Sequence, residues 1–349
     1  MGMGRRMGFI GLDLGSVTMR AVQLAWTGTA VELVQVAALE RPGRPDGKPK
    51  AAELAPLIRH FLHEGRFRGR DVVTAVSHED SVIRVVRLPR MPEEELGAAV
   101  KWEAERYIPF AASDCVTDHA VLGEIETDGA SQLEVLLVAA RRSSVEATLE
   151  AVRKAGFRSV GVEAEALAAG RALLHKKNGE HRGGRLPLVL LCDIGHGHTN
   201  ISVFRGGALR IHRSVAVGGA TMVERAARAA GVEASSPRTV FSSLSGQSRP
   251  ISSVLGPVWD ELVNELNRSI DFCHTQEGEQ AERVLLTGGA LRVPGLVDYL
   301  REKVSVPVEV PNPVDRMVAG RSTPVRFLTE AVPELTVAVG LALRGLKRA

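Results

Sequence analysis

An Asp-x-Gly turn set between an apolar run and a second strand-like run occurs twice, in "GFIGLDLGSVTMRAVQL" at 8–24 and in "LPLVLLCDIGHGHTNISVF" at 186–204. Asp193 follows Asp13 by 180 residues, so each motif heads one half of the 349-residue chain. One such turn is unremarkable, because aspartate and glycine both suit turns. Two in matched settings constrain the chain far more. They predict a duplicated α/β body in which each half opens with a three-strand meander.

The flanking runs agree. "MGFIGLDLG", "TMRAVQLAW" and "AVELVQVAAL" read as strands in the first half, and "LPLVLLCDIG", "TNISVFRGG" and "ALRIHRSVAVGG" in the second. A proline and glycine loop at 41–50 precedes "AAELAPLIRHFLHEG", which has apolar residues at helical spacing and a glycine stop. Strands are predicted at 71–77, 81–89 and 134–141, and a helix over 92–110 with acids in its first turn, ending before Pro109. A second helix, 143–157, has its start signal at Ser144. In "VLLTGGALRVPGLVDYLREKV", 284–304, a buried strand runs into Gly288-Gly289 and Pro294 starts an amphipathic helix. The segment from 334 to 349 reads as helix.

Composition narrows the classes. With 44% hydrophobic residues the chain can bury a large core, and its net charge of +3 is scattered. Two tyrosines and three tryptophans leave few stacking platforms, so no nucleic-acid partner is expected. Cys115, Cys192 and Cys273 share no zinc or disulfide spacing and read as buried thiols in a reducing compartment. The N-terminal run turns polar at Asp13, too soon for a secretory segment, and no stretch approaches the ~20 apolar residues a membrane helix requires. A cytoplasmic protein is expected, at a membrane only through partners.

Physically, an Asp-x-Gly hairpin aims backbone N–H groups outward as an anion nest, and its aspartate holds phosphate through hydrated magnesium. "GLDLGSVTMRAVQL", "DIGHGHTNISVF" and "LLTGGALRVPGL" in this order resemble the two phosphate motifs and the adenosine motif of the actin, Hsp70 and sugar kinase superfamily. That resemblance implies two duplicated RNase H-like lobes around an ATP cleft. Within the superfamily, "DLGSVTMRAVQL", "AVKWEAERYIPF" and "GVEAEALAAGRALL" are similar to the PilM family of type IV pilus assembly proteins, which shares a small inserted α+β subdomain with the cell-division protein FtsA. The implied division is a first lobe of 1–81, 156–185 and 334–349; an inserted subdomain of 82–155; a second lobe of 186–225 and 281–333; and a helical subdomain of 226–280.

Carried over by position, the resemblance implies ATP with magnesium. Asp13 and Asp193 would organise the metal through water. Gly15, Ser16, Thr18, Gly195, Gly197 and Thr199 would contact phosphate, and Gly288, Gly289 and Ala290 would border the adenosine. Arg20 stands where the family usually has lysine, either reaching phosphate or lying on a strand face. Glu163 matches the catalytic acid of the helix linking the lobes, with Glu165 as competitor and a helix-surface charge as the alternative for both. Two departures matter. His196 and His198 crowd a loop of usually small residues, either donating to phosphate or turning to solvent, and Pro237 with its serines interrupts the helix expected at 231–247.

The implied function is ATP binding with weak or no ATPase activity, and binding of the N-terminal cytoplasmic tail of a PilN-like inner-membrane protein. Other inner-membrane and motor components, and self-assembly, are further implied partners. The tail would lie near Tyr107 and Phe110, with Trp102 either beside it or in the core of the insert. Two alternatives stand at this level. One is a small-molecule kinase, for which Asp80 is the only tempting base, and the other is a nucleotide-free scaffold of a secretion system of type II kind.

Overall fold

The computed structural model describes residues 5–41, 51–127, 129–174, 186–234, 237–246, 250–320 and 332–346. Of the loop at 41–50, all but Arg41 lies outside these residues. The chain forms two compact units, one of 1–175, 207–211 and 313–349, the other of 176–206 and 212–312.

In the first unit, β1 (Arg6–Leu14), β2 (Thr18–Trp26) and β3 (Val31–Glu40) form the expected antiparallel meander. Strand β4 (Asp71–Val76) lies parallel to β1, and β8 (Arg158–Ala164) parallel to β4. With β14 (Val318–Ala319) at the edge, the order is β14-β3-β2-β1-β4-β8. β1 is central because Ile10 to Asp13 are all buried, as a strand covered on both faces requires. One face meets α1 (Ala51–Glu64) and α3 (Arg142–Lys154), joining Ile10, Leu12 and Met19 to Ile58, Phe61 and Val152. Elsewhere in the sheet, Val22, Leu24 and Leu33 pack with Ala338, Val339 and Ala342 of α9 (Thr336–Arg344).

Glycine lets α9 approach. A Cβ on Gly11 of β1 would overlap the backbone of Ala338 and Ala342, and one on Gly340 would overlap the backbone of Ala168 in α4 (Glu165–Leu173). β5 (Ser81–Pro89), β6 (Cys115–Thr127) and β7 (Ala130–Arg141) make a separate antiparallel sheet, ordered β5-β7-β6. On it α2 (Glu93–Ala104) lays Leu96, Val100 and Ala104, one helical face.

A five-stranded sheet repeats the first one. β9 (Leu188–Ile194) pairs antiparallel with β10 (Thr199–Arg205), which neighbours β11 (Ala208–Val215). β12 (Arg283–Thr287) and β13 (Val308–Glu309) continue in parallel, so the order β11-β10-β9-β12-β13 matches β3-β2-β1-β4-β8. Even the register matches, since Asp13 stands opposite Arg20 and Asp193 opposite Asn200. Helices α5 (Gly219–Ala230), α6 (Pro237–Gly246), α7 (Ile251–Glu277) and α8 (Leu296–Lys303) complete the unit.

Several sequence expectations are corrected. Helix α3 starts at Arg142 without a side-chain cap, so Ser144 lies inside it. Helix α2 stops at Ala104, five residues short of Pro109. Pro237 opens α6 rather than interrupting a helix, as its fixed φ and missing donor suit a first turn. Helix α8 begins after Gly295, whose φ of +83° places the turn beyond Pro294. Residues 313–320 go with the first sheet, not the second, because Val318 and Ala319 pair with β3. All three cysteines are buried and free, and among the described residues no helix is long and apolar enough to cross a membrane.

The glycine contact at α9 gives a direct test. Gly340→Val should cost about 3 kcal/mol or more, because the added atoms meet backbone rather than a movable side chain. Urea unfolding followed by circular dichroism measures it, and a loss below about 0.5 kcal/mol would show that α9 does not depend on this close approach.

Candidate functional site

The turn between β1 and β2 spans residues 15–17. Gly15 is required by close approach, since a Cβ there would lie 2.7 Å from the Thr18 carbonyl oxygen. Ser16 is exposed and Thr18 half-buried. Across the hairpin from Asp13, Arg20 places Nη1 3.7 Å from Asp13 Oδ2 and donates to the Thr18 carbonyl at 3.3 Å. Arg20 therefore points at the turn and its aspartate. Asp13 is only 7% exposed, and burial pushes its carboxyl above the ordinary carboxylate range, with Arg20 partly offsetting this.

A second arginine reaches the same turn from the end of β3. Arg41 donates its backbone N–H to the Val17 carbonyl at 2.7 Å and its Nη1 to the Gly15 carbonyl at 2.9 Å. Burial lowers the pKa of its guanidinium. The Nε atoms of both Arg20 and Arg41 are buried without a hydrogen-bond partner.

In the second unit, the Gly195 N–H closes the turn on the His198 carbonyl at 2.9 Å. The Gly195 and His196 carbonyls accept from the N–H groups of Gly219 and Ala220, the first residues of α5, at 2.9 and 2.7 Å. Gly218 must be glycine here, because a Cβ would overlap the His196 carbonyl and come within 2.8 Å of Gly197. Gly288, at φ +101°, lies against the same strand end, where a Cβ would meet the Ile194 carbonyl and Asp193 Oδ1. Its missing side chain is thus required by the protein's own backbone. Ala290 is buried beside it and lies 3.4 Å from a Cβ placed on Gly219. The structure accordingly gathers Asp193, Gly195, Gly197, Gly288 and Ala290 around one strand end.

Other expected residues sit differently. Thr199 is fully buried, and its hydroxyl donates to the Val217 carbonyl at 2.6 Å, so it ties the hairpin to the segment just ahead of α5. His196 and His198 are half-buried rather than turned out, and Gly197 is the exposed tip. Neither loop contains a left-handed residue, so neither builds a nest of the αR–αL kind; both are simple turns.

Glu163 lies on strand β8, not on a helix, and is 8% exposed. Both of its oxygens accept from Arg171 of α4, and Arg344 of α9 stands 3.5 Å from Oε2. Arg171 also donates to the Gly340 carbonyl at 3.0 Å. The carboxylate thereby fastens two helices to a strand. Glu165 is the first residue of α4. Asp80 is buried in a short 3-10 turn, with Oδ1 3.6 Å from Arg141 Nε.

On the insert, Trp102 lies outside the core, at 68% exposed, and Tyr107 is 40% exposed. The Tyr107 hydroxyl donates to Glu103 Oε1 at 3.1 Å, and Glu103 also accepts from Arg106 at 3.0 Å, which holds the ring in place. Phe110 lies under the Arg141 guanidinium, whose Cζ is 4.5 Å from the ring centroid.

Comparison with known proteins adds three findings. A family model described as type IV pilus assembly protein PilM matches residues 11–346. A solved PilM-PilN type IV pilus biogenesis complex is similar to this chain at 31% identity, covering 98% of this chain and 99% of that one, with a TM-score of 0.82. The ethanolamine utilization protein EutJ from Carboxydothermus hydrogenoformans, at 18% identity and a TM-score of 0.58 over 98% of this chain and 91% of its own, shares the fold.

The buried aspartate of the first turn predicts a pH signature. A carboxyl whose pKa rises on folding adds its full stability below its unfolded value, and that contribution is lost progressively as pH climbs through the raised value. Parent protein should therefore lose ground to Asp13→Asn as pH goes from about 4 to about 8, in melting curves taken without nucleotide. A gap in Tm that stays constant over that range would mean Asp13 folds with its ordinary affinity for protons.

Proposed function

Because the chain belongs to the PilM family of type IV pilus assembly proteins, we propose that it binds the N-terminal cytoplasmic tail of a PilN-like inner-membrane protein and links it to the pilus machine. The observation that carries this is the 31% identity, over 98% of the chain, to a partner-bound family member. The fold is actin-like. Recruitment to the cytoplasmic face of the inner membrane follows from such a partner, as does contact with motor components. Self-assembly is a further property this fold can support.

Trp102 and Tyr107 support a tail site on the insert. Large aromatic side chains are costly to leave in water and dominate interface energetics when a partner covers them. Here the helix face of Leu96, Val100 and Ala104 takes the core, which leaves Trp102 outward with no apolar cover. Phe110 sits under Arg141 and contributes less accessible surface.

Nucleotide binding is the second part of the proposal, with ATP and magnesium as ligands. The residues present fit an anionic ligand at the first turn, where two buried guanidinium Nε atoms lack partners. At the second hairpin the side-chain Oδ1 of Asn200, opposite Asp193, is buried and unpartnered, an acceptor suited to a hydrated cation. When bound, magnesium would screen the charge of the phosphates, with Asp13 and Asp193 organising its water shell. Gly15, Ser16, Thr18, Arg20, Gly195 and Gly197 would face phosphate, and Gly288, Gly289 and Ala290 the adenosine. Weak or absent hydrolysis is in keeping with Glu163, whose carboxylate is spent on Arg171 and Arg344. A kinase reading has no support from Asp80, which is buried against Arg141.

A synthetic peptide copying the first residues of a PilN-like tail should bind with a Kd on the order of micromolar. Trp102→Ala and Tyr107→Ala should each weaken it about tenfold, while Phe272→Ala, an exposed aromatic of the other unit, should not. Isothermal titration reads all three, and absence of binding up to millimolar peptide by folded protein would overturn the assignment.

A further inference from the structure

We propose that Arg41 is the positioning residue of the first phosphate turn, orienting its peptide groups so that the Ser16 and Thr18 N–H groups present themselves to an incoming phosphate. This rests on the nucleotide-binding proposal above. Arg41 grips the turn twice, its backbone N–H on the Val17 carbonyl and its Nη1 on the Gly15 carbonyl. In a trans peptide the carbonyl and the following N–H point in opposite directions. Tying the Gly15 and Val17 carbonyls to Arg41 therefore turns the N–H groups of Ser16 and Thr18 away from it. The Ser16 N–H makes no backbone hydrogen bond among the described residues, so it is available to a ligand.

Charge points the same way. Among the described residues, Arg20 and Arg41 stand around this turn with Asp13 as the one buried carboxylate, which leaves one positive charge unbalanced there. Glu40, the neighbour of Arg41, is exposed and forms no ion pair with either arginine among the described residues. A half-buried guanidinium with an unpartnered Nε, and with no counter-ion among the described residues, is costly, and an arriving phosphate would relieve that cost. Nothing local in the sequence marks Arg41, because its grip depends on the β2–β3 register that brings Glu40 opposite Thr18.

The test is a set of titrations on the full chain with Mg-ATP, Mg-ADP and adenosine, for the parent, Arg41→Ala and Arg41→Lys. Arg41→Ala should lose about tenfold in affinity for ATP and ADP and little for adenosine, and Arg41→Lys, which keeps a donor for the Gly15 carbonyl, should recover most of the loss. Melting curves accompany each variant. If Arg41→Ala weakens adenosine as much as ATP, or if parent and Arg41→Ala bind ATP alike, Arg41 has no positioning role, while the nucleotide proposal stands. If the parent binds no nucleotide at all, the nucleotide proposal fails first and takes this one with it.

Discussion

A strand buried on both faces cannot run on indefinitely, and where it emerges its chain must turn on polar residues. β1 and β9 are such strands, and each meets this constraint with an aspartate near its end, followed by a glycine turn. Much else follows. The antiparallel return strand is set in register by the turn, and the parallel strand on the other side, β4 or β12, fills the remaining hydrogen-bonding edge. Helices must then cover the faces. In the first unit that cover is close enough to demand glycine at positions 11 and 340, so the polar turn is held by a scaffold with little freedom to shift.

The two halves differ in how tightly the turn is tied. In the second unit the turn carbonyls are taken by the first amides of α5, and the Thr199 hydroxyl is taken by Val217. Backbone thus holds backbone, and glycine at 218 is what permits it. In the first unit no helix N-terminus is seen against the turn among the described residues, and arginine side chains do the holding instead. A side-chain clamp brings charge with it.

What the sequence disclosed divides along the same line. Strands β1, β2, β3, β9, β10 and β11 were legible because alternation and turn chemistry are local signals. Glu163 was not, since "GVEAEALAAGR" is rich in small helix formers and only the pairing of β8 with β4 makes its first part a strand. Thr199 has a hydroxyl that suits phosphate or backbone equally, and the distant Val217 decides. Trp102 was legible in principle. Once Val100 and Ala104 are assigned to the core face of α2, position 102 falls about 200° around the helix from Val100, on the far side.

The matched register also separates the two aspartates chemically. Seven residues beyond each one, in the facing position of the return strand, the first half has Arg20 and the second has Asn200. An arginine beside Asp13 competes with any cation for that carboxylate, while a neutral amide beside Asp193 does not. The same duplication that makes the halves look alike therefore leaves a guanidinium beside the first aspartate and a neutral amide opposite the second. In the nucleotide-binding reading proposed above, Asp193 would therefore be the better placed carboxylate for a hydrated cation, while Asp13 already has Arg20 3.7 Å away.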